Sequence, residues 1–246
     1  MLSSAAFIAF MGGVLPALLW LVFWLLEDRL HPEPKHYIIF CFIAGMITVP
    51  FAGYIERAVC SSLSGGVCSL PNVSFLVLVC WAATEELLKF FAAYFVALRT
   101  RVFDEPLDAV IYMVTAALGF SAAENMLFLY SCLNLNPGSG CLAPTILSQT
   151  IITGDLRFMG AMLLHTLSSA TIGLCLALAY YHGARSRRLA ALSGLILATA
   201  LHTSFNFFIL GSGSNATFWI FLIIWLGIIA ILLGVERVKR AVPHYS

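Results

Sequence analysis

Glu85 and Glu86 are adjacent, with Lys89 one helical turn further on, and together they interrupt an apolar run that extends from about Val73 to Leu98. A run of that length can span a bilayer, for which about 20 apolar residues suffice. Two carboxylates and an ammonium therefore fall near mid-membrane, where each charge costs about 2.5–3.5 kcal/mol on insertion scales. No helix needs such groups in order to cross, so their presence marks a functional site. Glu85 and Lys89 are four apart with the acid first, the favoured order for a helical ion pair, and Glu86 and Lys89 are three apart. The lysine neutralises one carboxylate. The other needs a partner elsewhere, or an apolar setting that suits it to act as a general base. A purely structural buried ion pair is the competing reading.

Other apolar runs carry matching groups. Glu124 sits in Phe120-Ser121-Ala122-Ala123-Glu124-Asn125, and His165 stands alone in its run. His202 and Asn206 are four apart and share one helix face. Counted from the outer end of each run at 1.5 Å per residue, all these groups lie roughly 9–20 Å deep. One polar cavity, open to the outside, explains that shared depth.

The set holds no nucleophile motif, although Thr84, Ser121 and Ser169 are close in sequence. It suits activation of water by a carboxylate, with histidine and asparagine donating hydrogen bonds to a developing oxyanion. No cofactor is expected on that reading. The alternative is one zinc ion on Glu86, His165 and His202, since carboxylate and imidazole are zinc ligands. The spacing is unlike the His-Glu-x-x-His helix of soluble zinc proteases.

The elements that must position these residues follow from composition. The chain has 246 residues, 61% hydrophobic and 10% charged, with a mean hydropathy of +0.96. Soluble domains carry about 25% charged residues. The sequence therefore predicts an all-α, polytopic transmembrane bundle, a single integral-membrane domain over residues 1–246. Seven spans can be drawn, at about 5–26, 37–55, 73–98, 107–130, 156–181, 189–210 and 217–234. The first lacks a basic n-region and a small-residue cleavage site, so it reads as a retained helix. A net charge of +1 argues against a nucleic-acid partner.

Lys and Arg set the expected orientation. Ten basic residues fall at four connections on one side (Arg29 and Lys35; Arg99 and Arg101; Arg185, Arg187 and Arg188; Arg237, Lys239 and Arg240), against Arg57 and Arg157 on the other. This puts the N-terminus outside and the C-terminus in the cytoplasm. Cys60 with Cys68, and Cys132 with Cys141, then face outside, where two local disulfides are expected. Cys41, Cys80 and Cys175 lie inside spans. The connection 131–155 is long, and its apolar stretch Thr145–Thr153 reads as an interfacial helix or a lid.

The order of these motifs resembles the PrsW family of membrane proteases. The matching pieces are Glu-Glu-x-x-Lys at Glu85–Lys89, Phe-x-x-x-Glu-Asn at Phe120–Asn125, the separate His165, and His-x-x-x-Asn at His202–Asn206. The segment Glu27–Pro34 is similar to that family's Asp- and Glu-Pro-rich stretch after the first helix. The resemblance covers about Leu15 to Phe207. It implies a glutamate-type membrane protease that cleaves a single-span membrane protein, such as an anti-sigma factor, near the extracytoplasmic side. It also implies roles. Glu85 and Glu86 supply the base, Glu85 first. Lys89 holds their geometry, Glu124 positions water or receives a proton, His165 is a further catalytic group, and His202 and Asn206 stabilise the oxyanion. Two rival readings remain: a proton-coupled transporter, since buried Glu, His and Lys chains serve proton relays, and a non-catalytic membrane partner with a degenerate protease site.

Overall fold

The computed structural model describes residues 4–28, 31–63, 73–134, 147–211 and 214–241. Among them are seven helices and no strand: α1 (Ser4–Glu27), α2 (Lys35–Leu63), α3 (Phe75–Ala93), α4 (Asp108–Asn134), α5 (Leu147–Leu178), α6 (Ala184–Gly211) and α7 (Ser214–Ala241). One π-helical stretch, Tyr94–Leu98, continues α3. Six helices are long and apolar enough to cross a membrane. The exception is α3, whose 19 residues include the three charges of Glu85, Glu86 and Lys89. Helices suit such a setting because every backbone N–H and C=O is satisfied within the segment.

The bundle is arranged around α4. In its most apolar stretch 83% of residues are buried, against 22% for α1. Packing of α1, α2 and α5 on α4 encloses it. Lipid offers no hydrophobic drive for helix association, so small residues that let backbones touch take over. Gly45 of α2 and Gly119 of α4 do this: a methyl group on either would collide with the carbonyl oxygen of Ala116 or Phe42. Gly173 of α5 meets the backbone of Val110 in the same way. Outward faces carry large apolar side chains such as Leu19, Phe51 and Ile223.

The helices outrun several of the expected spans. α2 continues past residue 55 to Leu63, because no proline or glycine follows Gly53 until Gly65. Of the stretch Thr145–Thr153, the described residues begin at Leu147. From Leu147 onward it forms the first turns of α5, since Pro144 is the last proline before them. Cys60 is disulfide-bonded. Cys68, Cys141 and the Cys132 side chain lie outside the described residues, so the expected pairings are not addressed. Cys41, Cys80 and Cys175, inside helices as expected, are free.

Candidate active site

The centre is built on α3. Ser74 caps that helix by accepting the Val77 N–H at 3.4 Å. The 3.6-residue repeat then turns Glu85, Glu86 and Lys89 inward. Glu86 and Lys89 are fully buried, and Glu85 is 7% exposed. Lys89 Nζ donates to Glu86 Oε1 at 2.6 Å and to His165 Nδ1 at 2.9 Å. It lies 3.9 Å from Glu85 Oε2 and 5.0 Å from the centre of the Phe120 ring. The two carboxylates thus share one ammonium unequally.

Glu86 is saturated. Its Oε1 also accepts from Ser168 Oγ and His202 Nδ1, both at 2.8 Å, and its Oε2 accepts from Ser169 Oγ at 3.3 Å. Glu85 is the opposite case: its Oε2 is buried with no hydrogen-bond partner. That oxygen is 3.8 Å from His165 Nδ1 and 3.8 Å from His202 Nε2.

The histidine protons follow from the network. His165 Nε2 lies 2.8 Å from Glu124 Oε2, and His202 Nδ1 lies 2.8 Å from Glu86 Oε1. An ionised carboxylate only accepts, so each histidine places its proton on that outer nitrogen. Each then turns an unprotonated nitrogen toward Glu85, and that of His165 also accepts from Lys89 Nζ. In this tautomer His202 Nε2 has no proton to offer an oxyanion, and it becomes a donor only as the imidazolium.

Two carboxylate–imidazole pairs that aim lone pairs at a third carboxylate suit a metal. Such outer carboxylates are the usual orienting partners of metal-bound histidines. One ligand atom each from Glu85, His165 and His202 lies within 4.8 Å of the others. Oxygen and imidazole nitrogen are zinc donors. Charge agrees: Glu85, Glu86 and Glu124 face one buried ammonium, Lys89, and a divalent cation would balance the excess. The residues therefore fit a zinc ion once Lys89 Nζ gives up its contact with His165 Nδ1. The expected ligand set Glu86, His165 and His202 differs in one member from the group that converges. Lys89, Ser168 and Ser169 hold Glu86 behind His202, and Glu85 is the carboxylate that lies with the two histidines.

Six of the seven residues singled out from sequence thus meet in one cluster. Asn206, one turn beyond His202 on α6, is half-buried and has no hydrogen-bond partner among the described residues. Two further contributors were missed. Glu56 of α2 faces Glu85 and Glu124, and the Ser168–Ser169 pair fastens Glu86. The serines sit three and four residues beyond His165, a spacing that shares its helix face. The cluster is closely packed rather than an open polar cavity, and the Glu124 side chain, 44% exposed, is its outlet. Beside it an apolar groove of about 540 Å³ runs between α3 and α6, lined by Val79, Ala83, Leu87, Ile196 and Thr203 among others.

A multi-pass helical bundle with a glutamate and two histidines converging inside it has the make-up of a membrane-embedded hydrolase. Residues 33–233 match the family described as "PrsW family intramembrane metalloprotease". The chain belongs to that family and is a multi-pass membrane protein. It is 23% identical to Protease PrsW of Bacillus subtilis and 27% identical to Protease PrsW of Oceanobacillus iheyensis, each over 230 residues and 94% of both chains. It is 31% identical to Protease PrsW of Geobacillus kaustophilus over 118 residues, covering 48% of this chain and 50% of that protein. No solved structure matches the chain.

Proposed function

We propose that the chain is an intramembrane endopeptidase in which Glu85, His165 and His202 activate water to hydrolyse a peptide bond of a membrane-anchored protein. One observation carries this reading: Glu85 Oε2 is buried without a hydrogen-bond partner, 3.8 Å from His165 Nδ1 and 3.8 Å from His202 Nε2. Those three residues would hold a zinc ion, which when bound supplies Lewis acidity and a more acidic water.

The remaining work falls to the chain's own groups. Glu86 holds His202, and Glu124 holds His165, each by accepting the proton on the outer ring nitrogen. Lys89 offsets the charge of the glutamate pair. Glu124, at the exposed edge, takes the proton that leaves the attacking water and passes it to the departing amine. Asn206 donates to the oxyanion. The substrate is a single-span protein that lies along the α3–α6 groove, where the buried and unpartnered Thr203 Oγ1 offers its backbone a hydrogen bond. With the N-terminus outside, as the Lys and Arg asymmetry argues, the cut falls toward the extracytoplasmic side. An anti-sigma factor is the substrate that the motif resemblance favours.

A metal-free glutamate mechanism has its own supporting observation. Lys89 Nζ occupies the His165 Nδ1 lone pair at 2.9 Å, and Glu85 would then act alone as the base. The test is cleavage of a library of single-span membrane proteins by the purified chain in liposomes. Cleavage by the wild type that is lost in Glu85→Gln and His202→Ala is expected. Equal cleavage by wild type and both variants would overturn the site.

A further inference from the structure

A second buried acid cluster lies at the other end of α4. It draws Asp28 and Glu33 from the α1–α2 connection, Glu105 from the α3–α4 connection, and Asp108 from the first turn of α4. We propose that Asp28, Glu33, Glu105 and Asp108 form a second cation site, one that takes a partly hydrated hard divalent cation, magnesium by preference. The proposal stands apart from the protease reading, since Asp108 and Glu124 are about 24 Å apart along α4 at 1.5 Å per residue.

The argument begins with unmet bonding capacity. Asp108 is fully buried and Asp28 is 3% exposed. Asp108 Oδ2 has an evident structural task, accepting the Asp104 and Glu105 N–H groups at 2.8 Å each, which pins the turn before α4. Its other oxygen, Oδ1, is buried with no hydrogen-bond partner, and so is Asp28 Oδ2. Both lie among acids rather than bases. Asp28 is hydrogen-bonded to the Glu105 side chain and lies beside Asp108, and Asp108 is hydrogen-bonded to the Glu33 side chain. Tyr112 adds a hydroxyl that donates to Glu33 Oε2. Among the described residues the only ion-pair contact to these acids is His31 Nδ1, 3.4 Å from Glu105 Oε2, and the His31 side chain is 77% exposed. Buried carboxylates are paired, coordinated or protonated. Here no described lysine or arginine pairs with them.

Donor chemistry selects the ion. Every group offers oxygen, and none offers nitrogen or sulfur, so hard cations are preferred over zinc. Among the described residues no three of these carboxylates converge as tightly as Glu85, His165 and His202 do. Such an ion keeps part of its water shell, as magnesium does when one or two carboxylates hold it. Bound there, it would tie the α1–α2 and α3–α4 connections to the start of α4.

The experiment uses the full chain in a non-ionic detergent, stripped with a chelator. Thermal unfolding is followed by tryptophan fluorescence while magnesium chloride, calcium chloride or potassium chloride of matched ionic strength is added. A saturable rise in the midpoint with magnesium, of several degrees and absent with potassium, is expected. Glu33→Gln and Glu105→Gln, both at partly exposed positions, should each weaken the magnesium response at least tenfold, while His202→Ala leaves it intact. No saturable shift at millimolar magnesium would overturn the proposal, as would an equal shift with potassium. A response to calcium alone would overturn the magnesium assignment. A response unchanged in both glutamate variants, or abolished by His202→Ala, would place the ion elsewhere.

Discussion

Two buried acid clusters share α4, and they handle the same difficulty in different ways. Around Glu124 the chain supplies its own cation, Lys89, and two imidazoles, one on Glu124 and one on Glu86. Around Asp108 it supplies backbone N–H groups, a tyrosine hydroxyl and one exposed histidine. Mixed nitrogen and oxygen donors in the first cluster suit a borderline Lewis acid and water activation. Oxygen donors alone suit a structural ion. On the roles proposed for them, the partners of the carboxylates, more than their number, separate a reactive centre from a fastening.

The comparison can be broken most sharply at Glu85. Glu85→Gln should lower single-turnover cleavage by about 10²–10⁴-fold, with an unfolding midpoint no lower than wild type, because the carboxylate lost is one without a hydrogen bond at Oε2. A large fall in the midpoint would instead mark Glu85 as structural. Lys89→Met addresses the other half of that cluster. It leaves Glu86 buried beside Glu85 without its ammonium, and should cost about 3–5 kcal/mol in denaturant unfolding in mixed micelles. A smaller third effect is expected at the outer carboxylate: Glu124→Gln should weaken zinc binding by about 10–100-fold, read by competition with a chelating dye.

The smallest effect concerns pH at the second cluster. Burial, with repulsion from Glu105 and Asp108, pushes the Asp28 carboxyl up to about 7. The folded chain then binds more protons at this site than the unfolded chain, so stability falls as pH rises from about 4 through 7. Burial also raises Glu33 and Glu105, with the same sign. In chelator-treated protein the unfolding midpoint should decline over that range. Asp28→Asn should flatten the decline, and a slope unchanged by the substitution would contradict the assignment.

Much of the candidate site is legible in sequence because charge inside an apolar run is conspicuous. Glu85, Glu86, Lys89, Glu124, His165 and His202 all stand out on that ground, and all of them meet. Glu56 does not, because the expected span ends at residue 55 while the helix runs on to Leu63. Ser168 and Ser169 were unremarkable as polar residues, and only contact with Glu86 across α3 and α5 gives them a task. Which glutamate faces the histidines could not be read from adjacent positions, since it depends on rotation of α3 against α5 and α6. The second cluster was hidden for a different reason. Its members lie near helix ends, where acids are ordinary, and some 75 residues of chain separate Glu33 from Asp108 and Tyr112.

Zinc-dependent recovery of cleavage tests the central claim most directly. The chain, stripped with a strong chelator and returned to liposomes with a cleavable single-span substrate, should be inactive. Stoichiometric zinc should restore cleavage in the wild type and leave Glu85→Gln inactive. Full activity in stripped protein, with no metal bound, would contradict a zinc centre at Glu85, His165 and His202.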